Sequence, residues 1–181
     1  MVEWGPKTEP INSAESLLSK ELVEEILVDA RRIIATSGNL QPTLFVQLEN
    51  GERGIVPLSL PETHPEKCIY FRLLGMLSFL NTGHTIREAI LVSEAWIVTQ
   101  PEAQELGVAP SQHPNRKEAI TLVGRDAQNS SLVFAIQPFQ RDVDNQSVFE
   151  ALELEHFSEI PNPQFNATGL LDDLFPQGSY Q

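Results

Sequence analysis

A polar loop carries the densest group of side chains in this chain that could do chemistry. Between Pro110 and Glu118 the sequence places an imidazole at His113, a guanidinium at Arg116 and the carboxylate of Glu118 itself. Glu94 lies on the predicted strand that leads into the loop. These four residues could form an acid–base or anion-binding cluster, because imidazoles and carboxylates transfer protons and a guanidinium binds anions.

A structural interpretation of the same residues stays open beside the chemical one. Glu94 lies on a mostly apolar strand and needs a partner, and Arg116 at the end of the loop is well placed to pair with it. His113 precedes a proline and can brace the turn. A metal site would need His113 with Glu94 or Glu118, but the four histidines have no ligand spacing. The sequence therefore favours a structural ion pair and predicts no cofactor.

A second candidate site lies toward the C terminus. Leu170, Leu171, Leu174 and Phe175 recur at helical spacing around two aspartates. Such an acidic amphipathic segment can lay its apolar face in a groove of a partner protein. It can equally fold back on its own domain, and the spacing does not decide between the two.

The motifs of the well-marked enzyme classes are missing from the sequence. It contains no glycine-rich phosphate loop, no HExxH pair, no GxSxG elbow and no CxxC. Cys68 is the only cysteine, which favours a reducing compartment. The uncharged run at residues 73–86, like the longer one at residues 33–48, is shorter than the roughly 20 apolar residues that a membrane span requires. We therefore expect a cytoplasmic protein that does not bind a membrane.

The net charge of −13 is unevenly distributed along the chain. Residues 1–25 hold six acids and two lysines, and residues 142–181 hold eight acids and no Lys or Arg. The body between them is nearly neutral, with eleven acidic and ten basic side chains. A neutral body has no basic stripe to follow a phosphate backbone, so nucleic-acid binding is disfavoured.

Two helices are predicted from capping signals and apolar spacing. A capping box at Asn12 opens the first helix, which ends at Gly38. A capping box at Thr63 opens the second, which ends at Gly83. The second helix is apolar almost all round, so we expect it to be buried on more than one side.

Alternating apolar residues and turn signals predict at least five strands. Asn50-Gly51 joins the first two in a hairpin, and the third is apolar on both faces, which predicts a central strand with Trp96 in the core. Residues 148–157 fit a further strand better than a helix. The predicted strands are 44–48, 53–58, 86–99, 118–125 and 131–139.

These elements give the order α-β-β-α-β-β-β, with room for one more strand. Helices packed on an antiparallel sheet make an α+β domain of two or three layers. We expect one domain at residues 13–160, a flexible lead-in at 1–12 and a flexible acidic tail at 161–181.

Two short motifs carry a resemblance to a known group. Ser93-Glu94-Ala95-Trp96, followed by Pro110-Ser111-x-His113-Pro114-x-Arg116-x-Glu118, resembles small bacterial and bacteriophage proteins that pair an SEAW strand with a PSxHPxRxE loop. The likeness covers roughly residues 40 to 140. It implies a bacterial or phage origin but no role for any residue, since the group has no established activity. The layout is also similar to profilin- and roadblock-type modules, which bind proteins.

The sequence thus predicts a non-catalytic protein-interaction or adaptor domain. Its sheet edge or its C-terminal segment would contact an unidentified protein partner, and a homo-oligomer stays open. The alternative is a small enzyme, in one version metal-assisted, that uses Glu94, His113, Arg116 and Glu118.

Overall fold

The computed structural model describes residues 15–98, 108, 110–128, 131–144, 146–157 and 169–175. Within these residues it contains two long helices and a seven-stranded antiparallel sheet, which confirms the predicted α+β class. The elements are α1 (Lys20–Ser37), β1 (Thr43–Leu48), β2 (Arg53–Pro57), α2 (His64–Thr82), β3 (Ile86–Ile97), β4 (Lys117–Asp126), β5 (Leu132–Arg141), β6 (Ser147–Phe149), β7 (Glu153–Phe157) and the short helix α3 (Gly169–Asp172).

The sheet has the order β2-β1-β3-β4-β5, and β6 and β7 both pair with the far side of β5. Gly51 makes the β1–β2 turn with a φ of +87°, a value that favours glycine. β2 lies at the edge of the sheet, a position that tolerates its terminal Pro57 because proline cannot donate to a further strand. Residues 148–157 form strand, as favoured, although the strand is interrupted at residues 150–152.

The helices cover opposite faces of this sheet and make three layers. α1 packs against the face that carries Ile90 and Val92, whereas α2 and α3 pack against the face that carries Ala89 and Leu91. β3 is therefore the central strand covered on both faces, as predicted. Trp96 is exposed rather than part of the core, because the last residues of β3 are only partly buried.

Two carboxylates on β3 hold the ends of α1. Glu88 accepts hydrogen bonds from the hydroxyl of Ser16 at 2.9 Å and from the N–H of Leu17 at 2.6 Å. Glu94, on the same face of the strand, accepts one from the N–H of Leu40 at 3.2 Å. α1 is thus fixed along β3 between two anchors.

The anchor at Glu88 explains why α1 starts later than predicted. Residues 15–18 form a turn against Glu88, and the hydroxyl of Ser19 caps the helix by accepting from the N–H of Leu22. The predicted start at Asn12 is therefore wrong, and Asn12 itself lies outside the described residues. The end of α1 at Gly38 is confirmed, with a φ of +80°.

α2 begins and ends as predicted, and it meets its neighbours through one narrow side. Thr63 and Glu66 form the capping box, and Gly83 closes the helix. The buried side carries Phe71 and Gly75. A Cβ on Gly75 would overlap the carbonyl oxygen of Leu174, so the chain near the C terminus crosses α2 directly over this glycine.

We expect Gly75→Ala to lower the free energy of unfolding by about 2 kcal/mol, the usual cost of overpacking. The loss arises although alanine is the better helix former by about 1 kcal/mol, because the new methyl group must displace Leu174. Urea denaturation measures the change. Asn81→Ala, at an exposed position of α2, is the control for helix propensity alone. If both variants gain the same stability, Gly75 does not provide this contact.

Candidate functional site

Two of the four residues predicted for the loop cluster meet through a residue that the sequence analysis missed. Nε of Arg141 donates to Glu118 at 3.2 Å, and Nη2 lies 3.7 Å from a carboxylate oxygen of Glu94. Nη2 also donates to the carbonyl oxygen of Gly38 at 2.6 Å, at the C-terminal end of α1. The guanidinium thus neutralises two carboxylates and complements the negative end of a helix dipole.

Arg116 does not take the role that the sequence predicts for it. Its guanidinium lies over the ring of Trp96, 4.6 Å from the centroid, and donates to the carbonyl oxygen of Ser111 at 2.7 Å. The guanidinium that reaches Glu94 is that of Arg141. The expected Glu94–Arg116 pair is therefore wrong, because β5 runs two residues further than predicted and brings Arg141 to the α1 side of the sheet.

His113 contacts its own turn. Its ring is buried, and Nδ1 accepts from the N–H of Asn115 at 3.1 Å. Its carbonyl oxygen accepts from the N–H of Arg116 at 3.3 Å. These contacts match the interpretation of His113 as a brace. Over the described ranges, no group of three or more His, Cys, Asp or Glu side chains is arranged to hold a metal ion.

The C-terminal segment, residues 169–175, folds back on its own domain. Leu171, Leu174 and Phe175 are buried in the core formed by α2 and the sheet. The side chain of Leu170 lies outside the described part of the chain. Of the two arrangements left open by the spacing, the structure has the docked one, so the apolar face of the segment is occupied.

Ion pairs fasten this segment from two sides. The buried guanidinium of Arg125 on β4 pairs with Asp172, and Arg72 of α2 donates to Asp173 at 2.7 Å. The prediction of a flexible tail at residues 161–181 is therefore wrong for residues 169–175, which are docked on the core. Its remaining residues lie outside the described ranges.

A cysteine, a histidine and an aspartate meet where the segment crosses α2. Sγ of Cys68 lies 3.6 Å from Nε2 of His64, and the thiol hydrogen-bonds Asp173. This hydrogen bond raises the pKa of Cys68 above its ordinary value, so the sulfur keeps its proton at neutral pH. A nucleophilic cysteine requires a lowered pKa. The trio therefore ties the segment to the helix and does not activate a thiolate.

α2 exposes an apolar stripe on the side opposite the sheet. We call its five residues the outer face of α2. The exposed fractions are 58% for Ile69, 51% for Leu73, 40% for Met76, 52% for Leu77 and 73% for Leu80. The prediction that α2 is buried on more than one side is therefore wrong: one apolar side meets the core and the other meets solvent.

The spacing of the outer face is that of a coiled-coil seam. Ile69, Leu73, Met76 and Leu80 follow one another at intervals of four, three and four residues, as alternating d and a positions do. Leu77 widens the stripe on one side. At 3.6 residues per turn these side chains form a single row along the helix.

Such a row is unusual on a protein surface. Exposed apolar side chains are normally scattered singly, whereas a contiguous apolar patch marks a contact with another molecule. The row does not make α2 a membrane span, because in the part of the chain that the structure describes no helix is long and apolar enough to cross a bilayer. The outer face of α2 is the candidate site that this structure offers, and the sequence analysis assigned it to the core.

We expect Arg141→Ala to lower the free energy of unfolding by about 2 kcal/mol, because it leaves two carboxylates and a helix end without their shared donor. Arg116→Ala, the matched arginine control, removes an exposed stacking contact and one exposed hydrogen bond to a backbone carbonyl, together worth about 1 kcal/mol. Chemical denaturation compares the two. A smaller loss for Arg141→Ala than for Arg116→Ala would contradict the assignment of Arg141 as the brace.

Acid is expected to loosen the C-terminal segment. Burial acts to raise the pKa of Asp173, but the hydrogen bonds from Arg72 and Cys68 outweigh it and lower that pKa below its ordinary value. A carboxylate with a lowered folded-state pKa stabilises the fold above its ordinary pKa, and this contribution is lost as the pH falls through the folded value.

Unfolding measured between about pH 6 and pH 3 tests this, since ordinary aspartate titrates near pH 4. We expect Asp173→Asn to reduce the fall in stability across that range. Asp144→Asn, at an exposed turn position, should leave the fall unchanged. Equal pH profiles for wild type and Asp173→Asn would refute the role given to this carboxylate.

Comparisons with known proteins were made at the level of families, curated sequences and solved structures, and no match to this chain was found in any of them. They add no support to the motif resemblance or to the likeness to profilin- and roadblock-type modules.

Proposed function

We propose that this protein is a non-catalytic interaction domain that binds the apolar face of another α-helix through the outer face of α2. The observation that carries the proposal is the exposed a/d row on a helix capped at both ends. Burying the exposed half of one such side chain is worth about 1 kcal/mol, so the row offers on the order of 5 kcal/mol toward the cost of association.

The chemistry of the surface favours a helical partner. A single apolar row with a/d spacing accepts the side chains of a second helix between its own. An extended peptide binds instead by adding to the edge of a sheet through main-chain hydrogen bonds, which a continuous helix does not offer. The partner proposed here is thus an amphipathic helix with a complementary apolar row.

The other contact surfaces considered from the sequence have less support. The C-terminal segment uses Leu171, Leu174 and Phe175 within its own domain. The edge strand β2 has five residues and ends in Pro57, which cannot donate to a further strand. α2 therefore replaces both as the proposed contact.

The alternative of a small enzyme finds no support in the geometry of the loop cluster. An active site requires its groups to converge on one position where a substrate can react. Arg141, which caps α1, neutralises Glu94 and Glu118, and the side chains of Arg116 and His113 have separate partners.

Site-specific photocrosslinking in cells tests the proposal. A benzophenone amino acid replaces Leu77 on the outer face or, as the matched control, Ile55 on β2, which is 62% exposed. We expect a discrete crosslinked protein from position 77 only, with the attachment mapped to a helix by mass spectrometry. No product from position 77, or the same product from both positions, would contradict the proposal.

A further inference from the structure

We infer that the helix which covers the outer face of α2 belongs to a second copy of this chain, with the two α2 helices packed antiparallel about a two-fold axis. The inference rests on the proposed function, since it names the partner of the same surface. Three properties of α2 support it: the symmetry of its row, the placement of its charges and the area it leaves exposed.

The row is symmetric about its midpoint. With the axis between Leu73 and Met76, Ile69 of one copy faces Leu80 of the other, and Leu73 faces Met76. Each of these contacts then occurs twice, as a closed two-fold interface requires. Every layer of the seam pairs two apolar side chains, and no polar group is buried in it.

Charge favours the antiparallel arrangement over the parallel one. The first part of α2 carries Glu66, Lys67 and Arg72, whereas residues 73–86 carry no charged side chain. Antiparallel packing places the charged part of each copy beside the uncharged part of the other. Parallel packing would bring Glu66 to Glu66 and Arg72 to Arg72, and like charges in contact oppose association. The helix dipoles also favour antiparallel neighbours.

The same charge distribution favours a second copy over a different protein. Partners with unlike sequences are commonly selected by complementary charges around an apolar centre. The part of α2 at residues 73–82 offers no charge by which such a partner could be selected. The first part of a second α2 then meets only neutral neighbours.

The exposed area fits the centre of a small dimer interface. The exposed parts of the five side chains amount to on the order of 500 Å² per copy, against about 800 Å² per partner in a standard interface. Tyr70, beside the row, extends the contact toward that size.

The mass of the purified 181-residue chain in solution tests the inference first. Sedimentation equilibrium at about 0.1 mM, where a contact of micromolar affinity is saturated, should give twice the chain mass of 20.2 kDa. Leu73→Glu places a charge in the seam and should weaken dimerisation about 100-fold or more, by the cost of an unpaired charge. Ile55→Glu is the control and should leave the mass unchanged. A monomeric wild type, or equal masses for the two variants, would overturn the inference.

Disulfide trapping tests the antiparallel order in a Cys68→Ser background. Positions 69 and 80 are about 16 Å apart along the helix, so neither Ile69→Cys nor Leu80→Cys should crosslink to itself. A mixture of the two variants should form a disulfide under mild oxidation. Crosslinks within the single variants, or none in the mixture, would overturn the arrangement. Circular dichroism verifies that each variant keeps its fold.

The outcomes separate this inference from the proposed function. A monomeric chain that crosslinks from position 77 to a helix of another protein overturns the second copy and leaves the interaction surface standing. A monomeric chain with no crosslink from position 77 overturns both.

Discussion

The rotation of α2 about its own axis decides which apolar side chains this protein buries and which it presents to solvent. Phe71 and Gly75 face the core, and the carbonyl oxygen of Leu174 lies where any side chain at position 75 would have to go. The Arg72–Asp173 pair holds the segment in that place. A helix fixed this closely on one side cannot turn its opposite row inward. The outer face is thus exposed as a consequence of how the inner face packs.

The same principle of anchoring from a distance applies to α1. Its two ends are held by Glu88 and Glu94, carboxylates on a strand otherwise rich in apolar residues. Arg141 completes the second anchor by joining Glu94 and Glu118 to the end of the helix. Glu94 and Glu118, which the sequence offered as candidate catalytic residues, therefore help to attach a helix to a sheet. Partly buried charged residues often have such a structural role.

Features governed by neighbouring residues were predictable, and features governed by distant ones were not. The capping box at Thr63, the glycines after both helices and the turn at Gly51 depend on a few adjacent positions, and all are confirmed. The start of α1 depends on Glu88, about seventy residues away, and was missed. The partner of Glu94 required knowing how far β5 extends. The sequence of α2 is apolar on all sides. Such a sequence fits a helix buried on two sides, and it also fits a helix buried on one side with an apolar row exposed on the other. Only the packing of α2 in the structure distinguishes these two arrangements.

The central claim is that a second helix covers the outer face of α2 when the protein is in the cell. Hydroxyl-radical footprinting measures this directly, because Met76 is the only methionine besides Met1 and methionine reacts readily with oxidants. If the claim is correct, Met76 is modified more slowly in cells than in dilute purified protein, while the exposed Val143 is modified at the same rate in both. If Met76 and Val143 keep the same relative rates in both settings, the outer face stays open to solvent and the claim is contradicted.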